Sequence, residues 1–215
     1  HIYGLDPYQY YSAGYACYLS DISIQQDTWD IWDNNMKIGN VKNGNVIGYK
    51  YFGFGGLKKN TKGIKAFKGT SKRNKTEFNL FLTPKTSESF KVNVWLDGPW
   101  SNETWKGTKI GEIVVPSNSA QELTQFAIDV SKFVDNLDQK HAIFLVAEGK
   151  ESTELFDLMG LGFSSKKKKI SPPIVPNITI NINEEKLELP KTPVRSTNAN
   201  GIVSYNLYET SYEIP

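Results

Sequence analysis

Between Phe78 and Phe163 apolar residues recur at every second position in one short run after another, with turn residues separating the runs. Phe78, Leu80 and Leu82 alternate with Asn79 and Phe81 until Pro84. Phe90, Val92, Val94 and Leu96 alternate with Lys91, Asn93 and Trp95 until Asp97-Gly98-Pro99. Successive side chains of a strand point to opposite faces, so a period of two marks a half-buried strand. Ile110–Val115, closed by Pro116, and Phe126–Val130 continue the series. Ala142–Ala147 is apolar throughout, as a strand covered on both faces would be, and Leu155–Phe163 ends the block. No amphipathic helix of three turns intervenes. Short strands at regular spacing predict an all-β fold, a β-sandwich or jelly roll. Leu80, Val92, Val94, Ile128, Ile143, Leu145 and Leu161 are expected between its two sheets.

The flanks read differently. Tyr3, Tyr8, Tyr10, Tyr11, Tyr15 and Tyr18 crowd the first residues without a period, and this segment is expected to wrap over a neighbour. Residues 1–16 are assigned as a linker or seam to an upstream domain, since His1-Ile2-Tyr3-Gly4-Leu5-Asp6-Pro7 reads like the interior of a longer polypeptide. Residues 17–165 form the sandwich. Lys166–Lys169 followed by Pro172, Pro173 and Pro176 marks a linker over 166–176. Residues 177–215 alternate briefly at Ile178, Ile180 and Ile182 and at Leu187 and Leu189. They predict a short C-terminal β appendage, too small for a sizeable core.

Catalytic and metal chemistry find little to work with. One cysteine, Cys17, excludes a disulfide framework and any multi-cysteine metal site, and the histidines are only His1 and His141. Cys17 is expected to be a small buried residue and His141 a turn residue. Gly160-Leu161-Gly162 and Gly53-Phe54-Gly55-Gly56 open no helix and read as kinks or turns rather than phosphate cradles. Asp27, Asp30 and Asp33 gather hard oxygen ligands, but the glycine and terminal glutamate of an EF-hand loop are missing, so solvated loop carboxylates are the expectation. No cofactor is expected. No stretch approaches the ~20 apolar residues of a membrane span. Between Asp33 and Glu77 the chain holds ten lysines and Arg73 and no acid. Such a field attracts polyanions such as uronic-acid polysaccharides, or else forms a solvated lysine face. Nucleic acid is not expected, because RNA-binding aromatic signatures are absent.

Tryptophan is the informative residue. Trp29 and Trp32, and Trp100 and Trp105, sit in polar, loop-like surroundings. An indole beside Asn, Asp and Glu suits a pyranose ring, whose C–H face is apolar and whose rim bears hydroxyls. Trp100 and Trp105 are the first candidates for stacking and Trp32 the second, with Asn102 and Glu103 hydrogen-bonding hydroxyls. The competing role is that of loop or core anchors.

Several motifs together resemble one family. Asn43-Gly44-Asn45-Val46-Ile47-Gly48-Tyr49, running on to Phe54-Gly55, is similar to the Gly-Asp-aromatic-Val-x-Tyr strand of family 6 carbohydrate-binding modules. Lys109–Pro116 resembles their central strand. Phe126–Val130 followed by His141–Val146 resembles their histidine-plus-apolar-strand section, and Leu155–Phe163 their closing strand. Spanning residues 17–165, the resemblance implies a non-catalytic sugar-binding jelly roll. Such modules are often appended to xylan- or arabinan-degrading enzymes, notably of glycoside hydrolase family 43. It further implies a polysaccharide ligand, an upstream catalytic domain of the same polypeptide, and a secreted, periplasmic or cell-surface location. In the family's main cleft two aromatics clamp a sugar and an asparagine bonds it. Those positions fall here at Asn40, Leu123 and Asp157, so Asn40 and Asp157 become candidate contacts in an altered cleft. The aspartate that often helps hold a structural calcium aligns with Met159, so calcium is not implied. The alternative is a degenerate sandwich that braces a catalytic domain without binding sugar.

Overall fold

The alternating runs are strands. A computed structural model describes residues 4–22, 24–26, 36–54, 75–137, 139–173, 194–197 and 203–206. In chain order the strands are β1 (Tyr11–Ser12), β2 (Tyr18–Leu19), β3 (Ile24–Gln26), β4 (Met36–Val41), β5 (Val46–Gly53), β6 (Glu77–Pro84), β7 (Phe90–Leu96), β8 (Thr108–Val115), β9 (Thr124–Asp129), β10 (Lys140–Glu148), β11 (Phe156–Ser164), β12 (Val194–Thr197) and β13 (Val203–Asn206). One four-residue helix, α1 (Ser131–Val134), follows β9. The chain divides into two units, His1–Ile174 and Val175–Pro215. In the second, β12 and β13 pair antiparallel, Val194 opposite Asn206 and Thr197 opposite Val203.

The first unit is a sandwich of two antiparallel sheets. The first sheet runs β3-β4-β11-β6-β9, with β1 added to β11, and the second runs β2-β5-β10-β7-β8. The turn from β4 to β5 therefore carries the chain from one sheet to the other. Gly44 takes φ +80° at its apex, a backbone that an L side chain resists, and Asn45 closes it by accepting the Lys42 N–H at 2.8 Å. Leu80, Val92, Val94, Ile143, Leu145 and Leu161 are all buried between the sheets, and Ile128, on edge strand β9, packs half-buried against them. In β11 a register shift between Leu158 and Gly160 moves the inward set from Phe156 and Leu158 to Leu161 and Phe163. Such a bulge adds one residue and inverts which parity faces the core.

Alternation alone misjudged the central strands. In β6 the outward residues Asn79 and Phe81 are buried as well as the inward ones. Asn79 is satisfied there, donating to Ser164 Oγ at 3.0 Å and accepting from Gln125 Nε2 at 2.8 Å. Phe81 is covered by Tyr10, whose ring meets it edge-on at 5.2 Å.

The tyrosine-rich segment belongs to the sandwich itself. Leu5 donates to Tyr51 O at 2.7 Å and accepts from Gly53 N at 2.9 Å; Pro7 accepts from Phe163 N at 2.8 Å; and Tyr11 pairs with Leu161. The segment is thus a strap joined to both sheets. Tyr8 is fully buried, with its hydroxyl 3.2 Å from Thr76 Oγ1. Burial holds the Tyr49 hydroxyl well above the ordinary tyrosine range, keeping it a donor to Ala13 O at 3.1 Å. A side chain such as tyrosine, apolar along the ring and polar at the tip, suits an irregular strap that must be buried and hydrogen-bonded together.

Other expectations are corrected. Cys17 is exposed, its thiol resting on Gly48 O at 3.3 Å. His141 lies in β10 rather than in a turn. The lysine run that opens the expected linker folds back at its second half: Ser165 and Lys168 bond reciprocally at 2.9 and 3.1 Å, and Lys168 and Lys169 meet Asp6 and Glu77. Trp29, Trp32, the aspartates at 27, 30 and 33, the lysines between 55 and 74, and the alternating segment 178–189 lie outside the described residues.

Candidate functional site

Residues 97–107 connect β7 to β8 and carry Trp100 and Trp105. Gly98 and Gly107 let two stretches of this loop touch: a Cβ on Gly107 would fall 2.1 Å from Gly98 O, and one on Gly98 would fall 2.7 Å from Trp105 O. Gly107 N–H bonds Trp100 O at 2.8 Å, and the Asn102 side-chain carbonyl accepts the Trp105 N–H at 2.9 Å. Asn102 therefore shapes the turn as much as it faces outward. Glu103 is exposed.

The two indoles differ. Trp100 is 39% exposed. Trp105 is half-buried, its ring edge-on to Phe144 at 5.6 Å, Tyr18 at 5.8 Å and Trp100 at 6.3 Å. It is an anchor, and it lies on the outer face of the second sheet. A second apolar cluster sits on that face, Val46, Ala142 and Phe144 with Tyr18, Trp95, Trp105 and Val146 against it. This is why Ala142–Ala147 is apolar on both faces: one side fills the sandwich and the other lies under the tryptophans.

Beside this cluster the sheet turns polar. Register places Trp95 opposite Phe144, and Asn93 opposite Val146 and Glu112. Asn93 Nδ2 donates to Glu148 Oε2 at 2.9 Å, and Glu112 receives Lys91 at 3.0 Å and Lys109 at 2.9 Å, which hold its carboxyl below its usual range. Asn93 Oδ1 and Trp95 Nε1, two residues apart on one face of β7, are buried and have no hydrogen-bond partner. One accepts and the other donates. Buried polar atoms are normally satisfied, so such a pair marks a place where a hydroxyl or water is expected. Sequence reasoning missed both, because each reads as an ordinary outward position on an alternating strand.

Asn40 and Asp157 occupy a separate place. Asn40, next to last in β4, takes φ +58° and donates its N–H to Asp157 Oδ1 at 3.2 Å, while Asp157 Oδ2 receives Lys85 at 3.1 Å and Lys37 at 3.3 Å. Its side chain is 7% exposed, so Asp157 is consumed by the fold and has no open edge for a hydroxyl. Leu123, half exposed, precedes Thr124, which pairs with Leu82 beside the Asp157–Thr83 pair. The three positions thus share one end of the first sheet. Next to them a polar groove of about 550 Å³ is lined by Asp21, Asn40, Asn43, Asn45, Glu151 and Ser152, among others, with no aromatic. The tryptophan loop follows the end of β7, whereas the loop bearing Glu151 follows the far end of β10; Lys91 pairs with Glu148 there, so the two places lie at opposite ends of the sandwich. Asp157→Ala removes the carboxylate between two ammoniums and the acceptor of the Asn40 amide. Denaturant unfolding should register a loss of about 2–4 kcal/mol; a loss under about 0.5 kcal/mol would contradict this role. Among the described residues no group of three or more His, Cys, Asp and Glu is gathered as metal ligands.

No protein-family model and no curated protein sequence matches the chain. Solved structures do. A family 6 carbohydrate-binding module from Clostridium cellulolyticum, solved with xylose, is 22% identical with a TM-score of 0.52, over 75% of this chain and 100% of that one. One from Clostridium stercorarium, solved with cellobiose, is 18% identical with a TM-score of 0.51, over 75% and 97%. A glycoside hydrolase family 43 arabinoxylan arabinofuranohydrolase from Bacillus subtilis is 19% identical with a TM-score of 0.53, over 76% of this chain; the match spans only 28% of the enzyme. The architecture is a β-sandwich of the jelly-roll class. It is the fold of family 6 carbohydrate-binding modules.

Proposed function

We propose that this chain is a non-catalytic carbohydrate-binding module whose glycan lies on the outer face of the second sheet, against Trp100, Trp105 and Trp95 and over Asn93. The observation that carries this reading is the exposed Trp100 indole packed against Trp105 on an outer-face apolar cluster that also holds Trp95, Phe144 and Tyr18. The C–H face of a sugar rests on the rings while its hydroxyls meet the polar side chains at their edge. Asn102 and Glu103 rim the platform. Asn40 and the groove beside it form a subsidiary polar surface, with Asp157 as its support rather than a contact.

The finer reading is an accessory module of a secreted plant-polysaccharide hydrolase acting on xylan or arabinoxylan, with the catalytic domain upstream. The likeness to part of an arabinoxylan-active enzyme and to a module solved with xylose supports it. The second reading, a sandwich that braces a catalytic domain and binds no sugar, draws on the filled Asn40–Asp157 position. Titration with xylo- and cello-oligosaccharides, preceded by a glycan array, separates the two. Trp100→Ala should weaken binding at least about tenfold and leave Tm nearly unchanged, since the ring is exposed. Silence across the array selects the bracing role.

A further inference from the structure

The tryptophan loop is fastened to the sheet where it begins. Asp97 opens it with φ +63°, a conformation that Asp tolerates better than most residues. All its polar groups but its own carbonyl are bonded to β10: its N–H to Ala142 O at 2.9 Å, Oδ1 to the Ala142 N–H at 3.0 Å, and Oδ2 to His141 Nδ1 at 2.8 Å. Gly98, the next residue, lies against the backbone of Trp105 with no room for a methyl group. Gly98 thus links Asp97 directly to the backbone of Trp105. His141 is about four-fifths buried. Phe54 flanks its ring at 6.1 Å, and Phe52 pairs with it from β5. Asp97 is the charged group bonded to the imidazole. The neighbouring Lys140 directs its ammonium to the Tyr51 ring, 5.9 Å from the centroid.

We propose that His141 is a positioning residue that acts through Asp97 on the tryptophan loop, so that glycan binding on this face is tighter in acid than in alkali. The inference rests on the reading of that face as the glycan site. A protonated imidazole gives Asp97 an ion pair and a charge-assisted hydrogen bond. A neutral imidazole gives a weaker bond in one tautomer and none in the other. An exposed or partly exposed ion pair is worth up to about fivefold in an equilibrium.

The test compares the whole chain with its His141→Gln and Asp97→Asn variants at pH 5 and pH 8, which bracket the range in which imidazoles change charge. Two quantities are read: hydrogen exchange of the Lys106 and Gly107 amides, corrected for intrinsic rates, and affinity for xylohexaose by calorimetry. The wild type should protect both amides about three- to fivefold better at pH 5, with affinity moving in the same direction. His141→Gln keeps a donor but cannot charge, so its pH ratio should vanish while binding persists. Asp97→Asn should be weakly protected at both values. Equal wild-type protection at the two pH values, or a ratio that survives His141→Gln, overturns the clasp whether or not sugar binds. Absence of any glycan binding with the exchange ratio intact overturns the glycan reading of the face instead.

Discussion

Phe163→Ala should lower the unfolding free energy by about 3–5 kcal/mol, the range for deleting a fully buried aromatic ring. The ring has no exposed surface and lies where the two sheets meet. Phe52 and Phe54, both from the β5 region of the second sheet, approach it edge-on at 5.6 and 5.1 Å, and Phe78 of β6 approaches it at 5.0 Å. Its strand, β11, sits in the middle of the first sheet, so no edge is available to collapse into the vacated space. Val114→Ala on β8, at a position 52% exposed, serves as the comparison and should stay within about 0.5 kcal/mol. Urea unfolding of the two variants checks the pair of values. A Phe163→Ala loss under about 1 kcal/mol would mean that the four rings do not pack as described.

Trp105→Ala should do two things at once. Half-buried on Phe144 and Tyr18, the indole holds the loop down as well as offering a face. Its removal should cost about 2 kcal/mol of stability, less than a fully buried indole would, and should also weaken glycan binding by tenfold or more, to about the extent expected of a stacking hot spot. Trp100→Ala separates the effects, because its ring is more exposed and supports less of the loop. Melting curves and titrations on both variants decide the matter. If Trp105→Ala keeps its Tm, the ring is not the anchor described; if Trp100→Ala binds glycan as the wild type does, the platform lies elsewhere.

The strands from β6 to β11 were legible because each buries at least one face and breaks at a turn residue. The strands β4 and β5 were not marked by alternation: Val46, Ile47, Gly48 and Tyr49 are consecutive buried residues, with Phe144 and Tyr18 closing over Gly48. A family-like motif marked β5, and nothing marked β4. The strap was misread because tyrosine in an aperiodic run carries no signal for burial; only its long-range partners, Phe163, Tyr51 and Leu161, decide it. At the candidate site, Trp100 and Trp105 were legible as aromatics in polar loops. That Trp105 is an anchor depends on Phe144, far along the chain, and that Asn93 is buried depends on its neighbours in the sheet. Asp157 looked like a replaced sugar ligand, and its capture by Lys37 and Lys85 follows from strands brought together by topology.

The strap also governs when the sandwich can close. Tyr10 and Met159, joined by the tyrosine hydroxyl, are 149 residues apart in sequence, and most of the intervening strands must be made before they meet. Closing so long a loop is entropically slow, and chains dominated by such distant pairings fold over milliseconds to seconds. During synthesis Leu5 and Tyr8 can join β5 and Thr76 early, but Tyr10 and Tyr11 wait for their partners until β11 leaves the ribosome. A chain stalled before Phe163 presents Tyr10 and Tyr11 as sticky surface for chaperones or for other copies of itself.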